Sequence, residues 1–363
     1  MKTKQCFISV LVFLLAGQIA WAGRAQIKDV ATAPYASAFV LDADTGETLF
    51  SRNPDASVYP ASTLKLMVLA VILDRIEQGT LQLDETVQIT VEAYKMGGSQ
   101  VYLDPKEQFP LEELLYALMI QSANDAAVAL ASHVAGTTKE FVALMNQKAD
   151  ELGMKNTRFY SVHGLPPAKG QQVDVTTARD FATLCRYLSS QPEVFKYTGI
   201  RVRDFRGGEF VMRTHNHLLE QVEGCDGFKT GYFTKAGFSI AATAKRGGVR
   251  IIAIVMGSKD RKVRDAKAIE LIAKGFAMVP AKPETQLAAL PVKPENKKSH
   301  SPTLSKETTI VPDQQSESPS TAAGDGGWSK FFIGLVLGFL LYAVLDFFVF
   351  KKRSRNTWRS RRF

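Results

Sequence analysis

Of 363 residues, 45% are hydrophobic, and 45 lysines and arginines face 36 aspartates and glutamates, for a formal net charge of +9. That balance does not mark a nucleic-acid binder: Lys2, Lys4 and the seven basic residues from Lys351 onward account for all nine charges, and no basic stripe with interleaved aromatics exists. The three cysteines stand at spacings that offer no metal site.

Taken in chain order, residues 1–22 combine Lys2 and Lys4 with an apolar stretch from Phe7 to Ala16 and an Ala20-Trp21-Ala22 ending. This is the pattern of a secretory signal peptide cleaved after Ala22, and Cys6 leaves with it. Residues 23–279 have the composition and length of one globular domain. Within it, 36–41 and 47–50 flank Asp44-Thr45-Gly46 as a short antiparallel hairpin. An apolar run from Pro60 to Leu73 reads as a helix with Ser62 at its head, and helical spacing recurs over 111–120, 126–134, 141–152 and 177–188. Strands return at 227–233, 238–244 and 250–256, the last two joined through Arg246-Gly247-Gly248, before a closing helix over 263–276. Early strands, central helices, late strands and a last helix predict an α+β fold. Its one antiparallel sheet is built from both ends of the chain, with helices on its faces and the final helix covering it. For Cys185 and Cys225, a disulfide and two free thiols both fit.

Residues 280–327 are rich in Pro, Ser, Thr, Lys and Glu and read as a disordered tether. Residues 328–350 include a run from Phe331 to Phe350 whose only charge is Asp346, about the length of a membrane-crossing helix. The basic tail 351–363 follows at once, so the positive-inside rule keeps it in the cytoplasm and puts the domain on the outer face of the membrane.

Ser62 and Lys65 are three residues apart, a step that brings two side chains onto one helix face. A lysine there takes the serine's proton if burial and neighbouring cations keep it neutral, and a serine at a helix start lies near the positive end of the macrodipole. A capping serine beside an ordinary lysine has the same spelling. Ser122-Ala123-Asn124 presents a hydroxyl and an amide at an interhelical turn, where local capping is the plainer reading. Lys229-Thr230-Gly231 falls on a strand: the glycine permits close approach, the strand offers itself to an extended peptide, and a second ammonium near Lys65 disfavours protonation there. A solvent-facing lysine beside a turn glycine is the alternative.

Together the three motifs supply nucleophile, base, proton relay and substrate clamp, and with them the sequence resembles the penicillin-recognising serine acyl enzymes. Tyr59 to Lys65, Ser122 to Ala126, His163-Gly164-Leu165 and Asp226 to Tyr232 look like the low-molecular-weight penicillin-binding D-alanyl-D-alanine carboxypeptidases, over roughly residues 36–276. The resemblance implies a β-lactamase/transpeptidase-like fold and acylation of Ser62 by the D-Ala-D-Ala end of a peptidoglycan stem peptide. The terminal D-alanine leaves, and the acyl enzyme is hydrolysed. It implies β-lactam antibiotics as covalent inhibitors and no cofactor or metal; many members carry a separate small β domain and a C-terminal amphipathic anchor, and here the tether and the inner-membrane span take their place. Lys65 is then the base, Ser122 and Asn124 handle protons and orient substrate, and Lys229, Thr230 and Gly231 hold the peptide. The backbone N–H groups of Ser62 and of Tyr232 or Phe233 are the candidate oxyanion donors, with Tyr232 favoured. Alignment through Met256-Gly257 puts Arg264 where a basic residue binds the terminal carboxylate; a solvated helix arginine is the alternative. Phe233 departs from the family, standing where threonine is common, with Thr234 one step later.

Competing readings weigh less. The stretch 155–180 lacks the glutamate that the best-known β-lactamases use for deacylation. A DD-endopeptidase acting on cross-links shares the same residues, and a catalytically silent wall-binding protein keeps the motifs as relics. No Gly-x-Ser-x-Gly accompanies His163, His215 and His217, and His215-Asn216-His217 reads as a polar strand edge.

Overall fold

The computed structural model describes residues 24–281. The expected signal peptide, the membrane span with its tail, and all but the first two residues of the tether lie outside the described residues.

Strand β1 (Ser37–Asp42) turns back as β2 (Thr48–Arg52), and a 3-10 turn (Ala61–Leu64) leads into α1 (Lys65–Glu77). A mostly helical region follows. It contains β3 (Thr86–Gln88), α2 (Val91–Tyr94), β4 (Gln108–Pro110), α3 (Leu111–Tyr116) running into a π-helical turn (Ala117–Gln121), α4 (Asn124–Ala135) and α5 (Thr138–Glu151). Next come α6 (Ala178–Ser189), α7 (Glu193–Thr198), the hairpin β5 (Val202–Phe205) and β6 (Phe210–Arg213), and α8 (Leu218–Gln221). Strands β7 (Cys225–Phe233), β8 (Gly237–Arg246) and β9 (Val249–Ser258) precede the last helix, α9 (Arg261–Met278).

The main sheet has the order β2-β1-β9-β8-β7, every pairing antiparallel. β1 pairs with β9, Ser37 opposite Met256 and Asp42 opposite Ile251, so the two ends of the domain meet in the middle of the sheet. Period-2 alternation sorts side chains to two cores. Phe39, Leu41, Ile252, Ile254 and Met256 join the core shared with the helical region, while Ala38, Val40, Ile251, Ala253 and Val255 face α9. Buried on both faces, β9 is apolar without a break from Ile251 to Met256. α9 closes the second face through Ala268, Leu271 and Ile272, its start capped by Asp260, whose carboxylate accepts from the Val263 N–H at 3.0 Å.

The differences from the expected elements have local causes. Ser62 does not open an α-helix but sits inside the 3-10 turn, and α1 begins only at Lys65. The helix expected over 111–120 loosens into a π turn and stops at Ser122, whose φ of 60° is left-handed. The β3/β4 and β5/β6 pairs were not expected, their strands being only three or four residues long. Cys185 is a buried free thiol and Cys225 a half-buried one. Among the described residues no helix is long and apolar enough to cross a membrane.

α1 is the pivot between the layers, buried without a break from Lys65 to Leu73. Leu69, fully buried, is therefore expected to destabilise the domain by about 2–5 kcal/mol when changed to alanine. Urea unfolding measures this, and a loss near zero would show that α1 is not held from all sides.

Candidate active site

The 3-10 turn explains the meeting of Ser62 and Lys65 better than an α-helix does, because side chains three apart eclipse in that geometry. Lys65 Nζ lies 3.2 Å from Ser62 Oγ, 2.7 Å from Asn124 Oδ1 and 2.9 Å from the His163 carbonyl oxygen. The lysine is fully buried, and burial, then the nearby charge of Lys229, lowers its pKa well below the ordinary lysine value; Asp125 and Asp174 oppose this from a distance. A neutral amine has two protons and one lone pair. Asn124 Oδ1 and the His163 carbonyl only accept, so they take both protons and leave the lone pair to the one neighbour able to donate, the Ser62 hydroxyl.

Each partner of Lys65 is held in turn. Asn124 starts α4, donates from Nδ2 to the Gly97 carbonyl at 2.7 Å, and its backbone N–H reaches the Ser99 carbonyl at 2.8 Å. The next residue, the buried Asp125, accepts from the N–H groups of Val101, Leu103 and Ala126 and so ties the 97–103 loop to α4. Gly98, with φ of 79°, passes so close to Asn124 that a Cβ would come within 2.7 Å of its amide nitrogen. The His163 carbonyl is presented by a loop that Asp174 pins, accepting from the N–H groups of Tyr160 and Ser161 and from the Ser161 hydroxyl. Burial and the neighbouring Lys65 push the His163 ring down to about 4.

β7 is the terminal strand of the sheet and runs beside the 3-10 turn. At Gly231 a Cβ would stand 2.7 Å from the Pro60 carbonyl oxygen and 3.0 Å from the Ser62 nitrogen, so only glycine allows this approach. The resulting cleft, of about 360 Å³, is lined by Ser62, Ser122, Asn124, Thr230, Tyr232 and Arg264, among others. Lys65 and Lys229 do not line it. Lys229 is buried behind Thr230, whose carbonyl it meets at 3.1 Å, and burial together with Arg264 brings its pKa down to about 7. Its influence on Lys65 is a charge felt through the wall.

Arg264 is no solvated helix residue. It is 2% exposed, donates to the Ser239 carbonyl at 3.0 Å and to Asp265 at 2.8 Å, and its Nη2, 2.6 Å from Asp265 but not aligned for a hydrogen bond, belongs to a side chain that faces the cleft. Phe233 turns away, stacked on Tyr59 with ring centroids 5.9 Å apart, and Thr234 lies exposed in the β7–β8 turn; Thr230 is the hydroxyl on the cleft. Tyr232, half exposed, stacks on Phe238 at 4.0 Å and forms a rim. His215 and His217 sit in the loop before α8, not on a strand edge, and with Ser99, Leu165 and Arg261 they also reach the cleft. Of these five only Leu165 lies in a quoted motif, His163-Gly164-Leu165; loops bring in four of them and the start of α9 brings in Arg261.

An antiparallel sheet with a helical layer and a serine cleft at their seam is the architecture of penicillin-binding proteins. A solved structure of penicillin-binding protein 5 from Haemophilus influenzae is similar at TM-score 0.63 and 30% identity, covering 70% of this chain and 73% of that one. Penicillin-binding protein D2 from Listeria monocytogenes in its ampicillin-bound form is similar at TM-score 0.60 and 29% identity, covering 70% and 100%. The family model described as D-alanyl-D-alanine carboxypeptidase matches residues 25–260, and the chain belongs to that family of serine peptidases. D-alanyl-D-alanine carboxypeptidase DacF of Bacillus subtilis and DacC of Escherichia coli are each 34% identical to it over 68% of this chain. The chain spans 63% of the length of each.

Lys229 carries a testable consequence for stability. Its folded pKa of about 7 lies below the ordinary lysine value of 10.5, so between these pH values the unfolded chain holds a proton that the folded one has lost, and this group's contribution to stability rises with pH across that window. Lys229→Met is expected to be more stable than wild type at pH 6, by at least about 1 kcal/mol, with the gap narrowing toward pH 10. Urea unfolding at both pH values measures it; a gap that stays constant would mean Lys229 is not a buried, destabilised cation.

Proposed function

We propose that this protein is a serine-type D-Ala-D-Ala carboxypeptidase that removes the terminal D-alanine from peptidoglycan stem peptides and is acylated by β-lactams at the same serine. The observation that carries the reading is the environment of Lys65, a buried lysine whose two proton acceptors leave its lone pair for Ser62. In this mechanism Ser62 attacks the carbonyl of the penultimate D-alanine while Lys65 takes its proton. The developing oxyanion is met by the backbone N–H groups of Ser62 and Tyr232. Ser122 passes the proton on to the leaving amine, Asn124 holds Lys65 and the substrate backbone, and water then hydrolyses the ester.

The peptide lies along the free edge of β7 as an added strand, a role supported by β7 being terminal in the sheet. Thr230 and Arg264 receive the terminal carboxylate, with Lys229 adding positive charge from behind Thr230. Family membership and the ampicillin-bound relative support substrate class and inhibitor alike. Expected D-alanine release from a linear pentapeptide is accompanied by covalent labelling with a fluorescent penicillin, and Ser62→Ala abolishes both while the protein stays folded by circular dichroism. Labelling that persists in Ser62→Ala would remove Ser62 as nucleophile.

The reading extends to the ends of the chain. A signal peptide over 1–22, a catalytic domain over 23–279, a tether over 280–327, a spanning helix over 328–350 and a cytoplasmic tail over 351–363 make a single-pass protein of the inner membrane, its domain facing the wall. The charge and hydropathy of those segments support it. Ending the chain after Gly327 is expected to move it from the membrane fraction to the soluble extracytoplasmic fraction; retention in the membrane would defeat the anchor.

A further inference from the structure

The loop that presents the His163 carbonyl also walls a second cavity, of about 420 Å³, within the size range of small-molecule sites. Its other walls come from α2, α4 and the start of α5. Leu165 lines both this cavity and the catalytic cleft, and it packs at Gly98, where an added Cβ would stand 3.1 Å from Leu165 Cδ2. The mechanism uses none of the side chains that face this cavity.

The chemistry of the wall differs from that of the cleft. Three of its side chains carry charge: Glu92 and Lys139 offset each other, and Asp174 is committed to the Tyr160 and Ser161 N–H groups and to the Ser161 hydroxyl. Nothing there draws a carboxylate as Arg264 does. Val142, Val162 and Pro166 supply apolar surface, Gln171 and Gln172 are exposed amides, and the Tyr160 ring, 44% exposed, offers a flat apolar face. His163 adds a donor. Its Nδ1 accepts from the Leu165 N–H at 3.0 Å, so the neutral ring carries its proton on Nε2, and among the described residues no acceptor meets that N–H. A ligand suited to these groups is uncharged, rich in hydroxyls and amide groups, and apolar on one face.

Under the function proposed above, on which this inference rests, Thr230 and Arg264 take the carboxyl end of the stem peptide. The other end of that peptide is bonded to a glycan, whose N-acetylated hexosamine rings are uncharged, with hydroxyls at their edges, C–H groups on their faces and an acetamide arm. We infer that the cavity beside Leu165 is a binding site for an N-acetylhexosamine of the glycan strand, reached where the peptide leaves the cleft over Leu165. A sugar ring stacks on Tyr160, its acetamide methyl lies against Val142 and Val162, the acetamide carbonyl accepts from His163 Nε2, and Gln171 and Gln172 meet the hydroxyls. The protein then holds the polymer as well as its peptide, and the sugar rests on the loop whose carbonyl accepts from Lys65.

The test compares a substrate with and without its sugar. D-alanine release is measured from a free pentapeptide and from the same pentapeptide on its N-acetylated disaccharide, and chitotetraose, a sugar oligomer without peptide, is titrated calorimetrically into Ser62→Ala. The variants are Tyr160→Ala, which keeps the N–H that Asp174 accepts, and Gln172→Trp, which fills the cavity from an exposed position. Wild type is expected to favour the disaccharide-linked peptide by at least about fivefold in kcat/KM, and each variant to lose that preference while keeping free-pentapeptide release within about twofold. Ser62→Ala is expected to bind chitotetraose, and adding Tyr160→Ala to abolish the binding. Equal rates on the two substrates in wild type overturn the sugar site and leave the carboxypeptidase reading standing. A preference that both variants retain, or variants that lose both substrates alike, overturn its location in this cavity. Release from neither substrate overturns the carboxypeptidase reading instead, and the chitotetraose titration, which needs no turnover, still decides the site.

Discussion

A lysine buried with no carboxylate in contact is the constraint on which the rest of this domain turns. Desolvating an ammonium is costly, so burial pulls the pKa of Lys65 well down, and its neighbours Asn124 Oδ1 and the His163 carbonyl accept two N–H bonds and nothing more. Those neighbours come from distant parts of the chain, Asn124 from the start of α4 and the His163 carbonyl from the loop that Asp174 holds. The buried carboxylates Asp125 and Asp174 are spent on backbone N–H groups, not on the lysine. They shape the loops that present the acceptors, yet stand far enough away to leave the lysine's proton loosely held.

The same logic explains the glycines at the seam. Gly231 and Gly98 are positions where two backbone segments, or a backbone and the Asn124 amide, come closer than any Cβ permits. Gly164 is a third, where a Cβ would stand 2.2 Å from the Ala61 carbonyl oxygen. The cleft is therefore a packed joint between the sheet and the helical layer, with little slack at the points where Ser62 and its partners sit.

Much of this was legible in the residues. The early hairpin and the late strands do share one antiparallel sheet, as their order along the chain predicts, and the helices expected over 141–152 and 177–188 are α5 and α6, which start at Thr138 and Ala178 behind the capping threonines Thr137 and Thr177. Three short motifs, each weak, name Ser62, Ser122, Asn124, Thr230 and Gly231 among the residues that line the cleft. What could not be read was hidden by geometry. The 3-10 turn and the π turn have the composition of α-helix, the short hairpin strands carry too few residues for a period to show, and His215, His217 and Arg261 reach the cleft from loops and a helix start that share no spacing with the motifs. Nor does a strand pattern reveal that Lys229 would face inward and titrate near neutrality.

The pairing of β1 with β9 has a consequence for the order in which the molecule comes into being. A chain that emerges from its N-terminus must expose Ser62 long before the segment around 251–256 that completes the centre of the sheet, and β7, which forms the wall opposite the serine, comes only shortly before it. Contacts so distant in sequence close late in folding. The nucleophile is therefore synthesised without its wall, and gains it only once some four-fifths of the domain has been made. Topology alone leaves the serine without its opposite wall until most of the domain has been made.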